Sequence, residues 1–173
     1  MRTVVFDLDG TLADTSQDLL AAANACFQGM GHGVVLDGRD TLTAFHGGRA
    51  MLRAGFERLG LAYDEADISR YYPMLLEAYA QGIDTHTRLY PGAVAAIEAL
   101  RAAGFATAIC TNKPEGLAET LVQRLGVIDH GGHACFLEVC LNGAARFAAF
   151  CNQCILRPGR DHAAAGRGQA RCA

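Results

Sequence analysis

The sequence predicts an α/β fold: a Rossmann-like parallel-sheet core, C-terminally incomplete, with a helical lobe inserted after its first strand. Two short apolar runs that end in polar turns read as buried parallel strands, TVVFDL at 3–8 and FATAIC at 105–110. Segments of helical periodicity separate them, and strands alternating with helices indicate a parallel sheet. About seventy residues lie between Thr15 and Leu89, too many for an ordinary crossover, so they form a lobe of their own.

Each element has a local reason. The first strand stops at Asp9-Gly10, a turn pair. Thr15 and Ser16 are candidate N-caps for a helix through about Phe27, which Gly29 and Gly31 end. Residues 48–59 place Met51, Leu52, Phe56 and Leu59 at helical spacing. Residues 65–80 do the same with Ile68, Tyr72, Leu75, Leu76 and Tyr79, and Pro73 is expected to kink or break that helix. Tyr90-Pro91-Gly92 punctuates the return. A helix over 93–103 carries Val94, Ile97 and Leu100 and ends at Gly104. After the second strand, Pro114 starts a helix over 115–125 that carries Leu117, Leu121, Val122 and Leu125. The GMGHG stretch at 29–33 follows a helix rather than a strand, which excludes a dinucleotide-binding turn.

Composition narrows the function classes. The chain has 173 residues, 51% hydrophobic and 19% charged, enough apolar content for a packed core. A net charge of −3 gives no general pull toward nucleic acid or anionic membrane. With no signal-peptide pattern or membrane-length apolar run, the expected location is the cytoplasm, where the seven cysteines are thiols.

Chemistry concentrates at the two strand ends. Asp7 and Asp9, two apart after the first strand, both aim at the carboxyl edge of the sheet. Two adjacent carboxylates repel, and a divalent cation such as Mg²⁺ relieves the repulsion through oxygen ligands. One carboxylate is then placed to attack phosphorus while the other handles a proton. Thr111, Asn112 and Lys113 follow the second strand at a helix start, where a hydroxyl, an amide and an ammonium make an anion site; TNKP is also a good turn. His46, Gly47 and Arg49 lie in the glycine turn FHGGR, which reads equally as a substrate loop or a helix–helix turn. His86 and Arg88 read as surface residues near the return.

FDLDGTLADT resembles the first motif of the haloacid dehalogenase superfamily of phosphohydrolases, and AICTNKP its second. LYPGA is typical of members with a helical cap after the first motif, and the match is nearest the phosphoglycolate phosphatase-like branch. The resemblance covers residues 1 to about 127. It implies a core of 1–14 and 86–127 and a cap of 15–85. It also implies a Mg²⁺-dependent phosphate monoester hydrolase, acting on a small phosphorylated metabolite through an aspartyl-phosphate. In that scheme Asp7 is nucleophile and metal ligand. Asp9 is the general acid/base, its backbone carbonyl also on the metal. Thr111 and Asn112 hold the phosphoryl group with Lys113 beside them, and the His46 loop dips toward substrate.

Residues 128–173 depart from this pattern. The family's later lysine and its GDxxxD-type acidic motif are absent; Lys113 is the chain's one lysine. Five of the seven cysteines fall here, and the charge balance turns from ten basic and fifteen acidic residues before it to five and three within it. Three readings fit this tail. One is out-of-frame translation. Another is a divergent ending with a strand at 136–141 and a helix at 143–151. The third is a zinc site among His130, His133, Cys135, Cys140, Cys151 and Cys154. The alternative to an active hydrolase is a catalytically defective remnant.

Overall fold

The computed structural model describes residues 2–127. The tail readings, zinc ligands included, lie outside the described residues. Strand β1 (Thr3–Phe6) pairs in parallel with β4 (Ala106–Ile109), Thr3 opposite Ala106 and Phe6 opposite Ile109. Both strands are shorter than the apolar runs. The chain turns at Asp7 because the Leu8 carbonyl gathers the N–H groups of Leu12 and Ala13, both at 3.1 Å, and Gly10 adopts φ +79°. Most residues of both strands are half-buried rather than fully buried. Among the described residues this sheet has two strands.

A second pairing was not legible in the sequence. Strand β2 (Ala13–Asp14) runs antiparallel to β3 (Arg88–Leu89), so the chain leaves and returns at one place. Between them lie α1 (Ser16–Gly29), α2 (Thr41–Phe45), α3 (Gly48–Leu59) and α4 (Glu65–Gln81). Helix α2 and the 3₁₀ turn Gly38–Asp40 before it were also unforeseen, being too short for a periodic signal. After the return come α5 (Ala93–Ala102) and α6 (Glu115–Arg124), which Gly104 and Gly126 follow in left-handed conformation. No helix among the described residues is long and apolar enough to cross a membrane.

Two local expectations change. Thr15 is the N-cap residue of α1, but its hydroxyl does not cap the helix; the Asp14 carboxylate instead accepts the Ser16 N–H at 3.1 Å. Pro73 does not break α4. A capping box between Asp64 and Asp67 starts that helix, and Ile68, Leu75 and Tyr79, buried on both sides of Pro73, hold it down. Together these outweigh the roughly 3 kcal/mol that an interior proline costs.

The densest core is helical. Phe27 of α1 meets Phe56 of α3 edge to face at 5.7 Å, and Phe56 stacks on Tyr63 at 5.3 Å. Gly55 makes this crossing possible, since a Cβ there would overlap the Phe27 ring. Beside it Asp40 accepts two bonds of 2.7 Å from the Arg58 guanidinium, which also donates to the Val35 carbonyl at 2.8 Å. That pairing, helped by the Asp37 N–H, holds the Asp40 carboxyl below its ordinary 3.8 against the opposing effect of burial.

Replacing Gly55 with Ala should lower stability even though alanine favours a helix by about 1 kcal/mol, because overpacking against a fixed ring costs about 1–3 kcal/mol. Thermal unfolding reads the sign, and a raised midpoint would show that Phe27 moves aside freely. Asp40→Asn should cost about 1.5–3 kcal/mol in urea unfolding at pH 7. A depressed folded pKa gives stability that is present above 3.8 and lost as pH falls through the folded value. The deficit of Asp40→Asn should therefore shrink at acidic pH; a deficit independent of pH would exclude the charge pair as its source.

Candidate active site

Because β1 and β4 are parallel neighbours, their carboxyl ends bring the two polar turns to one edge. Asp9 follows β1 and Lys113 follows β4. The Lys113 ammonium lies 3.1 Å from Asp9 Oδ1, and its side chain is only 3% exposed against 16% for Asp9. The same Asp9 oxygen accepts the Thr15 hydroxyl at 2.7 Å. Lys113 also donates to the Tyr79 hydroxyl at 2.8 Å, with Nζ 4.2 Å from the ring centroid. Burial pushes the lysine's pKa down, while Asp9, and behind it Asp7 and Asp18, push it back up. Thr111 is buried, and its Oγ1 accepts the Lys113 N–H at 3.2 Å, which shapes the turn.

Asp7 is exposed, and its Oδ1 accepts the Leu8 N–H at 2.7 Å. Its pKa is raised, mainly by partial loss of water; the Leu8 N–H opposes this, the Asp9 charge adds to it, and Lys113 opposes it. Among the described residues no three His, Cys, Asp or Glu side chains form a metal cluster. The Asp7–Asp9 pair still fits Mg²⁺, which takes one or two carboxylates and fills its octahedron with water and phosphate oxygens. The mutual repulsion that helps to raise Asp7 is what such a cation would relieve.

A cavity of about 70 Å³ opens beside Asp9, beneath α4 and the loop after α2. His46, Gly47, Asn112 and Lys113 line it, with Tyr72 and Leu75 on the apolar side. Arg49 does not line it. Its guanidinium lies over Tyr72 at 4.9 Å and donates to Ser69 at 3.4 Å, because the first turn of α3 directs it along α4. The two glycines of the turn have different reasons: Gly47 has φ +94°, and a Cβ on Gly48 would meet Tyr72 at 2.9 Å. Phe45 packs over Gly10, where a Cβ would lie 3.0 Å from its ring. His86 and Arg88 are exposed, as expected.

Three site-shaping residues escaped sequence reading. Residue type and spacing mark Thr15 as a helix cap and Tyr79 as apolar core; a buried tyrosine's need for a hydroxyl partner is the available signal. Asp18 is 3% exposed and accepts the N–H groups of His86 (3.0 Å) and Thr87 (2.8 Å) and the Thr87 hydroxyl (2.7 Å). It stitches the start of α1 to the returning chain, and nothing in its sequence surroundings marks it.

The model of the haloacid dehalogenase-like hydrolases matches residues 1–144. This chain belongs to that family. The match runs past residue 127, where the recognised motifs stop. A phosphoglycolate phosphatase from Agrobacterium fabrum is 36% identical over 123 residues, which are 71% of this chain and 53% of that protein. An N-acetylmuramic acid 6-phosphate phosphatase from Pseudomonas aeruginosa is 33% identical over 126 residues, 73% of this chain and 54% of that protein. The chain thus spans about half the length of the curated relatives it matches. The crystal structure of a predicted phosphoglycolate phosphatase from Haemophilus somnus shares the fold with a TM-score of 0.73 at 22% identity, covering 90% of this chain and 72% of that one.

Asp18→Ala leaves the His86 and Thr87 N–H groups without their acceptor and the Thr87 hydroxyl with only the Ile83 carbonyl at 3.4 Å, and should cost about 3 kcal/mol. Limited proteolysis should then cut the return segment around 82–90 faster than in the wild type; an unchanged cleavage rate would remove Asp18 as the stitch.

Proposed function

We propose that this chain is a phosphate monoester hydrolase, with Asp7 as nucleophile and Asp9 as general acid/base. The observation that carries the reading is the contrast between the two carboxylates. Among the described residues Asp7 is exposed and has no cationic hydrogen-bond partner, as a nucleophile needs. Asp9 is held by Thr15 and Lys113 beside a cavity that can receive a leaving group. In this scheme Asp7 attacks phosphorus in line, forming an aspartyl-phosphate, while Asp9, entering the step as the carboxylic acid, gives its proton to the departing alkoxide and is left as the carboxylate that pairs with Lys113. Asp9 then takes a proton from the water that cleaves the acyl phosphate. Thr111 and Asn112 orient the transferring group, and Lys113 contributes positive charge. Mg²⁺ held by the Asp7 carboxylate and the Asp9 backbone carbonyl supplies charge neutralisation on the phosphoryl oxygens when bound.

Helices α1–α4, within residues 15–85, act in this proposal as a cap on a core of 1–14 and 86–127, with the His46–Gly47 loop facing the substrate and Arg49 held along α4. The substrate is a small phosphorylated metabolite; the relatives' names support 2-phosphoglycolate, and a cavity of about 70 Å³ suits a leaving group of a few atoms. A second reading, a form that binds phosphate without turnover, draws support from Lys113. It is the chain's one lysine, and although it lines the cavity its ammonium is already paired with Asp9.

Hydrolysis of p-nitrophenyl phosphate should require Mg²⁺ and fall by about three orders of magnitude or more in Asp7→Asn. Absence of Mg²⁺-dependent turnover in folded wild-type protein would reject the hydrolase in favour of the binding form.

A further inference from the structure

Lys113, Asp9 and Tyr79 come from three elements, and one of them belongs to the helical insert. Tyr79 lies in the last turns of α4 and is 2% exposed. Its hydroxyl accepts from Lys113 at 2.8 Å, and its ring face lies 4.2 Å from the same nitrogen. An ammonium has three donors on a flexible four-carbon stem, and buried donors need acceptors. Asp9 supplies one and Tyr79 another. Burial and the charges of Asp9, Asp18 and Asp84 keep the Tyr79 phenol protonated, so Tyr79 is a neutral acceptor and Asp9 carries the opposing charge.

We propose that Tyr79 is a positioning residue: it fixes the Lys113 ammonium against Asp9, so that the charge facing this carboxylate depends on α4 being seated over the strand ends. The role rests on reading Asp9 as the acid/base. Without the hydroxyl, the ammonium loses a buried acceptor and swings between Asp9 and water. The ring of phenylalanine would keep the packing and the cation–π face, so Tyr79→Phe isolates the hydrogen bond.

The single lysine makes the test direct. In full-length protein labelled with ¹⁵N-lysine, one side-chain ammonium resonance is expected, protected from hydrogen exchange. Tyr79→Phe should speed that exchange about tenfold or more, as lost burial and bonding require. Tyr63→Phe, which removes a hydroxyl bonded to Glu57, should leave it unchanged. Wild-type protein should also show a nuclear Overhauser effect between the Lys113 ε-protons and the Tyr79 ring, a check that needs no variant. Its absence, or equal exchange in wild type and Tyr79→Phe, overturns the proposal. Neither readout depends on turnover, so failure of the hydrolase reading appears separately in the wild-type assay. In active protein Tyr79→Phe should lower kcat about tenfold with KM within about twofold; an unchanged kcat would overturn the positioning role and leave the hydrolase intact.

Discussion

The ammonium of Lys113 sits where the two strand ends and the helical insert meet, and the site is arranged around the cost of burying it. Removing an ammonium from water costs several kcal/mol unless a charge and hydrogen bonds replace the lost hydration. Asp9 supplies the charge, Tyr79 an acceptor and a ring face. The requirement propagates outward. Asp9 must face β4, which sets the turn through Gly10, and the Thr15 hydroxyl follows Asp9 instead of capping α1. Asp7, two residues earlier, has no cationic hydrogen-bond partner among the described residues, which suits the nucleophilic role proposed for it.

Seating α4 over this centre depends on small residues and one buried acid. Gly10 admits the Phe45 ring, Gly48 admits Tyr72 and Leu75, and Gly55 admits Phe27. Each is a close approach that a methyl group would obstruct, and together they bring the helices near enough to form a small cavity. The β2–β3 pairing and Asp18 then hold the exit and return of the insert together. The walls of the cavity come from both sides of that junction.

Much of the architecture was legible because its signals are local. Gly47 and Gly60 bracket α3, and periodicity fills the helix between them, so its predicted and observed bounds agree. The parallel pairing followed from two apolar runs separated by helices. Pro73 does not end α4, because a proline's local cost says nothing about the buried anchors on either side of it. The two-residue strands β2 and β3 left no trace, since each draws its identity from a partner more than seventy residues away.

Asp7, Asp9 and the Thr111–Lys113 turn could be read from residue type and spacing, because carboxylates at a strand end and polar groups at a helix start carry their chemistry with them. Family membership was legible for the same reason. Pairing was not. Which acid Lys113 pairs with, whether Thr15 caps a helix or binds an acid, and whether Arg49 reaches the cavity or lies along α4 were decided by tertiary structure. Hydrogen bonds and ion pairs depend on distance in space, and buried groups take whichever partner the packing brings within reach.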